Sequence, residues 1–218
     1  MIYQKRRTIG IYVTAGAEIE IRCPRGTPAE DIEKFARKHS GWAEEALAKK
    51  RAVIEEKEKF RIADTAVFLG ETYPVKRIPE QKAGFNGEYF FMPEDMEPED
   101  VKKYMIRIYK SAAERYIVKR TREIAGEIGL YPSKVGITSA KTRWGSCSGR
   151  NSLNFSWRLI MASRKAVDYV IIHELAHTAE HNHSRRFWDI VGKIMPDYKN
   201  AEAELKELAA KTARENWD

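Results

Sequence analysis

The sequence predicts an α+β protein, with a β-rich N-terminal region over residues 1–96 and a largely helical part over residues 97–218. Three observations carry that expectation. Apolar residues alternate with period two in residues 9–23, the spacing of a strand with one buried face. From Glu97 onward they recur at helical spacing instead. Finally, the apolar run Tyr169–Ile172 leads into His173-Glu174-Leu175-Ala176-His177, whose two histidines share one face only if the segment is helical.

Taken in order, Ile9, Ile11 and Val13 face one way, Ala15-Gly16 offers a turn, and Ile19, Ile21 and Cys23 repeat the pattern, so this stretch reads as a hairpin. Thr27-Pro28-Ala29-Glu30 has the form of a capping box with proline at the first helical position. The helix it opens carries Ile32, Phe35 and Ala36 and should stop near Ser40-Gly41; a second should run from Trp42 toward Phe60. Ala66–Gly70 and Tyr73–Val75 read as a second hairpin, and Glu88–Met92 as a further strand. Glu97 to about Ile128 is a long helix, marked by Val101, Tyr104, Met105, Ile108, Ala112 and Tyr116. Short strands follow at Val135–Thr138 and Asn154–Ile160. Ser163 then caps the histidine-bearing helix, and helical segments at Phe187–Ile194 and Tyr198–Ala213 close the chain around Pro196.

Composition narrows the classes. At 218 residues with 43% hydrophobic content, the chain is long enough to bury a core. No apolar run approaches the ~18 residues of a membrane span, and Met1–Arg7 leads into no hydrophobic stretch, so no secretory signal is expected. Cys23 and Cys147 lack metal-ligand spacing and read as reduced thiols, which points to the cytoplasm. The net charge is +7, and residues 101–150 hold twelve Lys/Arg against three Glu. Such a stretch can attract nucleic acid, but no ribonucleoprotein signature or zinc-finger spacing accompanies it, and a solvated helix face accounts for it.

Four of the five histidines lie between His173 and His183. His173 and His177 can reach one ion, while Glu174 can reach a water on it without being a ligand, the arrangement for zinc-assisted hydrolysis. In an unbroken helix, His181 would lie about 12 Å along the axis from His173 at ~1.5 Å rise per residue, too far to share an ion. The chain must therefore leave the helix after His177, and Asn182 tolerates the left-handed conformation that would turn it back. His183 is then the preferred third ligand, His181 the second choice, and Glu202 or Glu204 the third.

Small residues in Thr142–Ser148 suggest a tight loop. Its Arg143 has the chemistry to stabilise an oxyanion, as has Tyr198, or to grip a phosphate or carboxylate. Trp144 and Trp157 read as core anchors, and Cys147 as a small buried residue. The strand running from Asn154 to Leu159 could form the lip of a cleft, where an exposed edge would bind extended polypeptide by strand addition.

Arg143-Trp144-Gly145-Ser146-Cys147, Leu153-Asn154-Phe155, Asp168–His177 and Asn182-His183-Ser184 with Phe187-Trp188 together resemble the YgjP-like family of predicted zinc metallopeptidases, related to the SprT-like proteases of the zincin group. Arg6–Ile9, Cys23–Gly26 and Trp42 extend the likeness to the N-terminal region. The resemblance implies a zincin-like catalytic domain, one zinc ion held by His173, His177 and His183, Glu174 as catalytic acid/base, and a polypeptide substrate. Glu180 stands where metzincins carry glycine, so that comparison stops at the histidine spacing. Two rivals remain: a zinc-dependent nucleoside triphosphate phosphohydrolase, which the lack of a phosphate-cradling glycine loop disfavours, and a DNA-associated SprT-like protease, supported only by the basic stretch.

Overall fold

A computed structural model describes residues 2–59, 64–79, 82–215 and 217. It divides into two compact units, Met1–Phe60 with Arg214–Asn216, and Arg61–Ala213 with Trp217–Asp218. Residues 61–96, read from the sequence as part of the N-terminal region, thus group with the second unit. None of the described helices is long and apolar enough to cross a membrane.

In the first unit, β2 (Gly10–Val13) and β3 (Ile19–Pro24) form the expected hairpin, with Tyr12 opposite Glu20, and β1 (Ile2–Gln4) pairs parallel to β3. Helices α1 (Ala29–Lys38) and α2 (Ser40–Lys59) follow. The capping box does not form. Pro28 itself takes the N-cap position, where it offers no side-chain acceptor, and the Thr27 hydroxyl donates back to the Pro24 carbonyl at 2.8 Å. Gly41 and Trp42 lie inside the first turn of α2, and Phe60 lies outside the described residues.

The second unit opens with a four-stranded sheet in the order β4-β5-β7-β6, comprising Thr65–Phe68, Glu71–Ile78, Phe90–Pro93 and Gly84–Phe85 respectively. The β4–β5 turn is made by Leu69 and Gly70 at φ 50° and 82°, the left-handed pair that a two-residue hairpin loop favours. Gly70 is required twice over, since a Cβ there would lie 2.8 Å from Ser163 Cα.

Helix α3 (Pro98–Ile128) starts on Pro98 and ends at left-handed Gly129. Its buried stripe runs through Val101, Met105, Tyr109, Ala112, Ile117 and Ile124, one position off the predicted stripe at Ile108 and Tyr116. The shift lets Tyr109 weld the layers together. Its hydroxyl donates to the Val67 carbonyl at 2.8 Å, and its ring packs on Phe90 and on the fully buried Trp157.

Beyond α3 lies a small sheet in the order β8-β10-β9 (Lys134–Thr138, Ser152–Ser156, Gly145–Cys147). Strand β10 pairs parallel with β8 and antiparallel with β9. Two sequence expectations change here. The strand stops at Ser156, because Trp157–Met161 coil into a 3₁₀ turn in which all five side chains are buried, so the alternation there reports no strand face. And β10 is interior, with both hydrogen-bonding edges taken, so strand addition cannot occur on it; the edge strands on either side of it are β8 and β9. Helices α4 (Arg164–Ala176), α5 (Arg185–Ile194) and α6 (Tyr198–Arg214) complete the unit.

Candidate metal centre

Helix α4 is capped as its sequence predicts, with Ser163 Oγ accepting from the Ala166 amide at 3.2 Å. The same serine donates its backbone N–H and its hydroxyl to the Glu204 carboxylate, each at 2.7 Å. Glu204 is therefore part of a helix cap and not a ligand. A bidentate Arg120–Asp168 pair, at 2.8 and 2.9 Å, ties α3 to the middle of α4.

The helix ends at Ala176, and His177 is its C-cap. The Thr178 and Glu180 amides close the end on the Leu175 and Ala176 carbonyls, and the chain turns back. No described residue from Thr178 to Ser184 has positive φ, so Asn182 does not act through the left-handed conformation. Its side-chain carbonyl instead accepts from the Ser184 amide at 2.9 Å, an Asx turn with His183 as its central residue. Ser184 in turn caps α5, accepting from the Phe187 amide.

This turn brings His183 to the two helical histidines. Its Nε2 lies 3.2 Å from His177 Nε2 and 3.1 Å from His173 Nε2. Nitrogens on three corners of a tetrahedron with bonds of ~2.0–2.1 Å would be about 3.3 Å apart, so the spacing suits one small ion. Among the described residues, this is the cluster of His, Cys, Asp or Glu side chains placed to hold a metal. His181 is exposed and is not brought to it.

The tautomers fit as well. His177 Nδ1 lies 3.0 Å from the Glu180 carbonyl, which can only accept, so Nδ1 carries the proton and Nε2 presents its lone pair. His173 Nδ1 lies 3.4 Å from the Tyr169 hydroxyl oxygen, whose proton goes to Glu202 Oε1 at 2.7 Å. Tyr169 therefore accepts from His173, which again leaves Nε2 free. Burial holds the His173 imidazole down at about 4, with the neighbouring histidine charges adding to the effect, so the ring is neutral at pH 7. Glu202, like Glu204, is thus not brought to the cluster: its carboxylate instead accepts from the Tyr169 hydroxyl. Beneath the cluster, fully buried Phe187 sits 4.8, 4.4 and 4.8 Å from the centroids of His173, His177 and His183. Trp188 stacks on His183, and Tyr198 stacks between Trp188 and Tyr169.

Glu174 is 6% exposed and lies against β9, where a Cβ on Gly145 would come within 2.6 Å of its Cγ and Oε1. Only glycine leaves that carboxylate its space. Burial raises the Glu174 carboxyl to about 7, while the Arg143 guanidinium pulls the other way. Cys147 is half-buried on β9, with burial and the nearby Glu174 charge raising its thiol pKa. Asn154 is not brought to the cluster. It pairs with Ser146 and Gly136, one residue out of phase with Gly145, and so lies on the opposite face of the small sheet. Tyr169, Phe187, Trp188 and Gly145 escaped the sequence reading as site residues, and Glu202 entered it only as a candidate ligand. Tyr169 had a signal, four residues before His173 on the same helix face.

A comparison with curated proteins finds no match. Among solved structures, the chain is similar to the metallopeptidase zymogen of Pyrococcus abyssi abylysin, with 22% identity over 41% of this chain and 90% of that one and a TM-score of 0.38. It is also similar to the metallopeptidase zymogen of Methanocaldococcus jannaschii jannalysin, with 21% identity over 44% and 92% and a TM-score of 0.34. Residues 7–208 match the model of the YgjP-like metallopeptidase domain, and the chain belongs to that metallopeptidase family.

Proposed function

We propose that the protein is a zinc-dependent endopeptidase in which His173, His177 and His183 hold one zinc ion and Glu174 is the catalytic acid/base. The observation that carries this reading is the convergence of three Nε2 atoms, two with their tautomers fixed from behind, next to a buried glutamate. Soft-to-intermediate nitrogen donors in a three-histidine set suit zinc and leave a coordination position open. Bound there, zinc would supply a Lewis acid that lowers the pKa of water toward ~7 and polarises a carbonyl.

The chain's own residues do the rest. Glu174, its proton affinity raised by burial, takes the proton of the attacking water and passes it to the leaving amine. Polypeptide binds in extended form along the free edge of β9, because β10 has no free edge and β9 carries Gly145 directly onto Glu174. Arg143, exposed on the loop entering β9, serves substrate binding. Asn154 acts indirectly, as the interior partner that holds β9 through its pairing with Ser146.

The test is hydrolysis of a denatured protein by zinc-loaded enzyme, with the common nucleoside triphosphates assayed in parallel. Glu174→Gln should abolish cleavage while zinc content stays near one equivalent, since a base is removed and not a ligand. Release of phosphate or pyrophosphate that depends on Glu174, with the polypeptide left intact, would replace this reading with a phosphohydrolase.

A further inference from the structure

The reaction as derived leaves one cavity unused. It lies at the foot of β9, has a volume of about 90 Å³, and is walled by Lys141, Thr142, Arg143, Ser156, Arg158 and Thr212. Three cations and three hydroxyls thus surround one small space, and among the described residues its walls include no carboxylate. Arg158 is held firmly in the wall. Its guanidinium donates to the Ser139 and Trp217 carbonyls at 3.2 and 3.1 Å and lies over the Trp157 ring at 4.4 Å. Lys141 and Arg143 are exposed and stand at the mouth. The Ser156 hydroxyl donates to the Ala140 carbonyl at 2.7 Å, which fixes the loop that carries both cations.

The position matters as much as the charge. Arg143 is two residues before Gly145, the glycine that packs on Glu174. Even fully extended, two residues span at most about 7 Å. A polypeptide lying along β9 therefore presents a group to this cavity within two or three residues of the bond being cut.

We propose that the cavity is an anion subsite that takes a carboxylate of the polypeptide substrate. The carboxylate is either an acidic side chain close to the scissile bond or the free C-terminus of a short peptide. This rests on the peptidase reading above and adds its specificity. A carboxylate meets the Arg143 fork in two parallel charge-assisted hydrogen bonds, with the Thr142 hydroxyl beside it. A lysine presented there is repelled by the Arg143 and Arg158 guanidinium groups, and a glutamine loses the charge.

The experiment maps the cut sites of zinc-loaded enzyme in a denatured protein by mass spectrometry. Peptides are then built on the best site with Glu, Gln or Lys at each of the three positions on either side, each as C-terminal acid and amide. At one position Glu should exceed Gln by about tenfold or more in kcat/KM, the worth of a hydrogen bond to a charged group, and Lys should be poorest. If the rate instead falls only on amidation, the subsite reads the chain terminus. The variant readout is the Glu-to-Lys rate ratio, which partial loss of folded enzyme does not move. Arg143→Glu should invert that ratio. Thr212→Glu, which brings a carboxylate into the cavity from α6, should collapse it. Equal rates for Glu, Gln and Lys at all positions, with acid and amide alike, would overturn the subsite and leave the peptidase standing. No cleavage of any peptide or of the denatured protein would sink both.

Discussion

The helical and the looped halves of the histidine cluster are built by different means. His173 and His177 belong to the end of α4, and each has its far nitrogen committed to an acceptor, the Tyr169 hydroxyl and the Glu180 carbonyl. His183 lies on an exposed turn, and its ring is oriented by packing, with Phe187 edge-on and Trp188 stacked against it. The hydrogen-bonded half selects the tautomer before any ion arrives. The packed half supplies position but leaves the choice of nitrogen to the geometry of the turn. A tight site can therefore be assembled from one preorganised pair and one ligand delivered by a loop, provided that the loop is short and its own turn is closed.

Removing the delivered ligand should have the largest effect. His183→Ala should lower zinc affinity by more than about a hundredfold, because loss of a ligand exceeds loss of an outer partner, itself worth about 10–100-fold. His181→Ala, on the same turn but exposed and outside the cluster, should leave affinity at the wild-type value. Competition with a chromogenic chelator measures both. If His181→Ala released the metal and His183→Ala did not, the turn would close one step earlier than the Asx geometry has it.

Next in size is the outer shell of the helical half. Tyr169→Phe keeps the ring stacked on Tyr198 but removes the oxygen that accepts from His173. Zinc affinity should fall by about 10–100-fold, and the visible spectrum of a cobalt-substituted sample should change, while the stability of the metal-free protein changes little. Glu202→Gln retains an oxygen to accept from Tyr169, so it should fall between wild type and Tyr169→Phe. Equal affinity in all three proteins would mean that the 3.4 Å contact orients nothing.

The same contrast explains what was legible in the sequence. His173 and His177 could be read directly, because a spacing of four fixes their relation on a helix. His183 followed from reach alone: a helical His181 was too far, so a turn was required. The device that makes the turn was not legible, since asparagine serves equally through its backbone or its side chain, and here the side chain accepts from Ser184. Glu202 and Glu204 illustrate a further limit. Both sit on α6 near α4, and only the packing of the two helices decides that one meets Tyr169 and the other Ser163. The interior place of β10 was hidden for a similar reason. Alternation reports which side chains are buried, whereas edge or interior depends on which strands pair, and that information lies in other parts of the chain. The capping box failed on a single residue, because Pro28 occupies the N-cap position that the accepting hydroxyl needed.

The smallest expected effect bears chiefly on the packed half, although Trp188 also meets the His173 ring edge-on at 6.0 Å. Trp188 stacks on His183 with centroids 5.9 Å apart and rings inclined at 27°, and it touches neither nitrogen of the helical pair through a hydrogen bond. An aromatic pair of this kind is worth about 0.5–1.5 kcal/mol, or roughly two- to tenfold in affinity. Trp188→Ala should therefore weaken zinc binding by that factor, whereas Trp188→Phe, which keeps a ring against His183, should recover most of it. The variant also loses the stack on Tyr198, so the metal-free protein should be measured alongside by thermal unfolding. Combining Trp188→Ala with His183→Ala separates the two roles. If Trp188 acts by holding His183, the tryptophan change should cost nothing further once that histidine is gone. If the two losses add in full, Trp188 supports the site through its edge contact with His173 or through Tyr198 and Tyr169, and the halves of the cluster are coupled through it.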